Sequence, residues 1–184
     1  AMGLVVPGVA AVASAFDAAS RGGESRHHFG AVVHGIERAL WLSFVAYLTM
    51  VAHGARVGFC SFGGGSLLIL MGPFAGVLLG GAWGGLVGAS LAARTIRWKR
   101  TALVVVAISA PVATVVVSVI RFLTSPMVFA FDPFVGFFSG TLYDTIIDGT
   151  DKLISYRVGT VAAIGALLWL ARWLDGERDR WTRA

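Results

Sequence analysis

Charge is scarce in this chain. Only 14% of its 184 residues are Asp, Glu, Lys or Arg, while 57% are hydrophobic. An ordinary soluble domain carries about 25% charged residues. A chain of this size cannot hide such an apolar surplus in one soluble core. The composition therefore argues against a soluble globular enzyme and against a disordered chain. Cysteine is nearly missing as well. Cys60 stands alone, which excludes an internal disulfide and says nothing of the redox compartment. It follows Phe59 and precedes a glycine run, and reads as a buried thiol.

Other absences remove whole chemistries. No basic region precedes the apolar stretch AMGLVVPGVAAV, so it is a poor signal peptide. The first residue is not Met and the apolar run begins at once, so a segment of a longer protein, or a tag remnant, is expected. No Walker lysine follows the glycines of Phe62-Gly63-Gly64-Gly65-Ser66, which weakens a phosphate site there. Ser139-Gly140 lacks the G-x-S-x-G frame of a hydrolase nucleophile, with no histidine downstream. The string D-G-T-D lacks the twelve-residue frame and closing Glu of an EF-hand. His34 and Glu37 share a helix face, but no second E-x-x-H helix or Cys partner completes a metal set. His34 and His53 are 19 residues apart, about 28 Å along a helix, too far to hold one haem. Neither a metal nor a cofactor is expected. The net charge of +5 and pI near 10.1 come without any basic recognition module, so nucleic acid is not an expected partner.

What is abundant is long uncharged runs, with a mean hydropathy of +0.78. They predict an all-α integral membrane protein: a polytopic bundle of about five transmembrane helices in a single domain over 1–184. The spans are 2–19, 36–55, 66–93, 101–124 and 157–174. The first is the weakest, being Ala-rich with Pro7 inside and Asp17 near its end. The third holds 28 residues without a charge, about 42 Å of helix. Against a hydrocarbon core of about 30 Å it must tilt, kink at Pro73 or reach into the headgroups. Pro111 lies within the fourth span, and Trp169 and Trp173 sit at the aromatic belt of the fifth.

Charge asymmetry then orients the bundle. Eleven Lys or Arg fall in the 20–38 and 94–100 loops and the C-terminal tail, against Arg56, Arg121, Lys152 and Arg157 opposite. Cytoplasmic segments collect Lys and Arg. The expected location is the inner or plasma membrane, with the N-terminus outside and the C-terminus cytoplasmic.

Two features rise above this background. Gly72, Gly76, Gly80, Gly84 and Gly88 recur every four residues in span three, with Gly81 and Gly85 beside them. Such a glycine zipper is a ridge without side chains, along which another backbone can approach. The expected partner is span two, four or five, with a homo-oligomeric contact as the alternative. The second feature is the outer cap, 126–151. Phe129, Phe131, Phe134, Phe137, Phe138 and Tyr143 make it too aromatic for a solvated loop, and Pro126, Pro133, Gly136 and Gly140 break it. A re-entrant or interfacial segment of irregular backbone is expected, with a turn at Asp132-Pro133 and a short helix over TLYDTIID.

The cap carries Asp132, Asp144, Asp148 and Asp151, a candidate acidic site at the outer face, with Arg121 and Arg157 as candidate counter-charges. Clustered carboxylates repel unless a cation, a proton or a basic side chain intervenes. The preferred functional reading is a non-enzymatic membrane module, a subunit or membrane portion of a larger transport or envelope assembly. Its partners would be the lipid bilayer, other membrane subunits or a second copy. The alternative is a membrane-embedded enzyme or an ion- or proton-coupled transporter that uses these acids.

Overall fold

The computed structural model describes residues 2–21, 27–58, 62–92, 94–95, 97–124, 129–134, 136–139 and 150–181. Six α-helices dominate: α1 Met2–Ser20, α2 His28–Val57, α3 Phe62–Ile69, α4 Ala75–Ala92, α5 Lys99–Thr124 and α6 Thr150–Trp181. A π-turn, Leu70–Phe74, joins α3 to α4 without a break. Pro73 lies inside it. Proline has no N–H and its ring crowds the carbonyl four residues back, so a widened turn lets the long apolar run continue through it. Among the described residues, four segments are long and apolar enough to cross a membrane: His28–Val57, Leu70–Ala92, Lys99–Thr124 and Ile154–Arg178. The described part of α1, Val5–Ser20, is a shorter apolar helix.

α4 is the axis of the bundle. Eleven of its 18 residues are buried, from Gly76 to Gly88. It takes part in three apolar clusters that between them reach every neighbour. Val87 meets Ala11, Ala15, Leu103 and Ala107 of α1 and α5. Ala82 and Leu86 meet Val32 of α2 and Ala171 of α6. Val77 meets Ala10 of α1 and Ala39 of α2.

Contact registers fix the directions of the helices. Pro7, Ala11 and Ala15 oppose Gly80, Gly84 and Gly88, so α1 runs parallel to α4. Ala31 opposes Gly85 and Gly35 opposes Gly81, so α2 runs antiparallel. The Trp83 indole donates to the Val106 carbonyl at 3.2 Å while Val87 packs on Leu103, so α5 is antiparallel too. α6 is parallel: Arg157 reaches Met71 and Gly72, and Ala171 reaches the Ala82–Leu86 level. The helices therefore alternate in direction along the bundle, α1 among them. The span with the weakest sequence signal lies along the most buried helix.

The cap differs from its expected form. Its described residues make an antiparallel hairpin, not irregular backbone. β1 Phe129–Asp132 pairs with β2 Gly136–Ser139, with Phe129 opposite Ser139 and Asp132 opposite Gly136. Aromatic residues favour strands, and pairing satisfies the backbone of a segment too apolar to be left to water. The chain reverses at Pro133-Phe134, directly after Asp132. The helix expected over TLYDTIID lies outside the described residues.

Candidate functional site

The acidic cap divides into what the structure describes and what it does not. Asp144 and Asp148 lie outside the described residues, and Asp151 is placed only by its backbone, in the first turn of α6. Asp132 is fully buried at the hairpin turn. Its carboxylate accepts the backbone N–H of Phe134 at 2.8 Å, closing the turn locally, and the Ser118 hydroxyl of α5 at 3.2 Å. Short acidic side chains commonly bond backbone two residues on, which is why D-P-F reverses the chain here. The turn itself packs against α4: a Cβ at Gly76 would run into the Phe134 carbonyl.

Besides standing as a charge near Asp132, Arg157 binds backbone directly. It is 6% exposed, on α6 beside the hairpin. Its guanidinium donates to the Met71 carbonyl through Nε, to the Gly72 carbonyl at 2.8 Å and to the Pro133 carbonyl at 3.0 Å, with Thr160 Oγ1 at 3.3 Å. Three backbone carbonyls and one hydroxyl thus surround it. Where a π-turn returns to α-helix, the hydrogen-bond period changes and carbonyls become available to outside donors. One planar fork of N–H groups serves two of them and reaches across to the hairpin. Arg157 therefore pins three elements together: α6, the π-turn and the hairpin turn. Arg121 is exposed near the end of α5.

The glycines sort into two ridges. On the first, an added Cβ would meet the backbone carbonyl of Phe134 at Gly76, Pro7 at Gly80, Ala11 at Gly84 and Ala15 at Gly88. On the second, Gly81 faces Gly35 and Ala39, and Gly85 faces Ala31. A Cβ at Gly72 would meet nothing within 4 Å. The partners of the ladder are α1 and α2 and the hairpin turn, and the expectation that left out span one is corrected. Two helices whose own small residues recur every four positions, at 7, 11, 15 and at 31, 35, 39, fit the two ridges.

At the opposite end of the bundle, charges tie helix termini together. Asp17 of α1 pairs with Arg21 at 3.1 Å and with Arg38 of α2 at 2.7 Å. Both arginines are substantially exposed, so water and salt weaken the pairing. Asp17→Asn is expected to lower stability by less than about 1 kcal/mol, with the difference shrinking as salt is raised in thermal unfolding.

Asp175, which no sequence motif marks, is more consequential. The N-cap residue His27 makes no side-chain cap bond to α2. Asp175 of α6 fills that role from 147 residues away, accepting the N–H of His28 at 2.7 Å and of Phe29 at 3.0 Å. The same carboxylate meets His28 Nδ1 at 2.9 Å, and Arg172 lies over the Phe29 ring at 5.9 Å. The first N–H groups of a helix have no internal acceptor, and a carboxylate there also meets the positive end of the helix dipole. Asp175→Ala should cost about 1 kcal/mol. Hydrogen exchange at the His28 and Phe29 amides should accelerate, while Asp175→Asn, which keeps an acceptor, should lie between.

Among the described residues no group of three or more His, Cys, Asp and Glu is placed to hold a metal ion. His34 and Glu37, flagged by their spacing, share one hydrogen bond of 3.2 Å on an exposed face. Compared with known protein families, curated proteins and solved structures, the chain matches none.

Proposed function

We propose that this chain is a non-enzymatic integral membrane module, a subunit or the membrane portion of a larger transport or envelope assembly. All five passes cross the inner or plasma membrane, with the N-terminus outside and the C-terminus cytoplasmic. The observation that carries this reading is the inversion of the usual surface. The flanks of the bundle expose large apolar side chains such as Trp41, Val105, Val158, Val161 and Trp169, each 60% exposed or more. The interior is built from alanine and glycine, as in helix packing within lipid. In the sequence, eleven of the fifteen cations fall in the 20–38 and 94–100 segments and the C-terminal tail, and the described ones among them lie at the end that carries Asp17, Arg38 and Asp175.

The described polar groups of the cap support a module over an enzyme or a transporter. Asp132 and Arg157 are both committed to backbone groups that hold the hairpin on the bundle. A general acid or an ion ligand needs a group free to exchange its partner. Expressed in bacterial cells, the chain should stay in the membrane pellet after alkaline carbonate and dissolve in mild detergent. Release by carbonate as a folded protein would overturn the reading. Asp144→Asn and Asp148→Asn should accumulate and assemble like wild type.

A further inference from the structure

A cleft of about 880 Å³ opens between α2 and the α3–π-turn segment. That is within the usual range of about 300–1,000 Å³ for small-molecule sites. Its walls are apolar, with Phe44 on one side and Leu67, Leu70 and Phe74 on the other. At one end the Tyr47 hydroxyl and Ser66 hydroxyl bond each other at 3.1 Å, bridging α2 to α3.

Ser43 lines the same cleft. It is 6% exposed and its hydroxyl has no hydrogen-bond partner among the described residues. A buried hydroxyl without a partner is costly, and its polar neighbours one turn away already serve each other. The Ser43 oxygen is itself fully buried, so an occupant of the cleft packs beside it without bonding it. Among the described residues lining the cleft the only charged one is Glu37, six residues before Ser43 and so about 9 Å along the helix. Its carboxylate is 61% exposed and shares one bond with His34, which leaves acceptor capacity for a cation. Glu37 also lies beside Arg38, in the charged girdle at the end of the bundle that we place at the cytoplasmic face.

Resting on the membrane reading above, we infer that this cleft binds one diacyl lipid with a primary-amine headgroup, drawn from the cytoplasmic leaflet. The ammonium meets Glu37, and one acyl chain runs along Phe44, Leu67, Leu70 and Phe74. With an acid and no Lys or Arg among the described residues of its walls, the cleft disfavours an anionic headgroup.

The test uses the full chain, delipidated in mild detergent and reloaded with equal amounts of dioleoyl phosphatidylethanolamine or dioleoyl phosphatidylglycerol, read by native mass spectrometry. Phosphatidylethanolamine adducts should exceed phosphatidylglycerol adducts about tenfold, the scale of one charge-assisted bond. Glu37→Gln, at an exposed position, should abolish the preference. Equal retention of the two lipids by wild type, or a preference that survives Glu37→Gln, would overturn the inference. A chain that pellets with membranes yet shows no preference loses this inference and keeps the membrane reading; one that carbonate releases loses both.

Discussion

Gly84→Ala is expected to destabilise the protein sharply, although it adds a single methyl group. The Cβ at Gly84 would run into the backbone carbonyl of Ala11. A flexible side chain could swing aside, but a carbonyl moves only with its helix. Overpacking of this kind costs about 1–3 kcal/mol, and Gly84→Leu should cost more. The internal control sits on the same ladder. Gly72→Ala meets nothing within 4 Å and should be near neutral, gaining whatever helix propensity alanine offers. Thermal unfolding in detergent measures both. Equal unfolding temperatures for Gly84→Ala and Gly72→Ala would mean that α1 does not lie against α4.

Arg157→Ala is expected to have an effect of similar size by a different route. It removes the donors to the Met71, Gly72 and Pro133 carbonyls at a position closed to water. Leaving buried acceptors unsatisfied costs about 1–3 kcal/mol each, so the total should reach about 3 kcal/mol or more. Arg157→Lys keeps the charge but not the fork, and cannot reach across to three carbonyls with the same geometry. It should recover only part of the loss. Hydrogen exchange should locate the damage at the π-turn and hairpin and leave the Asp175–His28 end protected. Asp132→Asn should be milder, because an amide oxygen still accepts the Phe134 N–H.

The contrast between these two sites shows what a sequence makes legible. The glycine ladder was readable because its period of four appears in one contiguous segment. Its partner was equally written in the chain, as Pro7, Ala11, Ala15 and as Ala31, Gly35, Ala39, but its short length, Pro7 and Asp17 made the first helix look the weakest span. Residue spacing was therefore a better guide to the ladder's partner than the length of the span. The hairpin was half visible. Asp132-Pro133 marked the turn, while the aromatic runs on either side read as a broken segment, because only pairing reveals them as strands.

Arg157 and Asp175 were hidden for a deeper reason. Each acts across more than 80 residues on backbone groups, and backbone carbonyls and amides carry no sequence signal. An arginine near acids suggests an ion pair. Only the fold places the freed carbonyls of a π-turn closer to hand. Pro73 inside a long apolar run was the one available hint that carbonyls there would need outside donors.

The central claim is a bundle that crosses a membrane five times with the cation-rich end in the cytoplasm. Cysteine labelling in sealed cells tests it most directly, on a Cys60→Ser background with single cysteines at Arg56 and Arg97. A membrane-impermeant maleimide should label Arg56→Cys in intact cells and Arg97→Cys only after permeabilisation. Labelling of Arg97→Cys in intact cells, or of neither position until the cells are opened, would contradict the account.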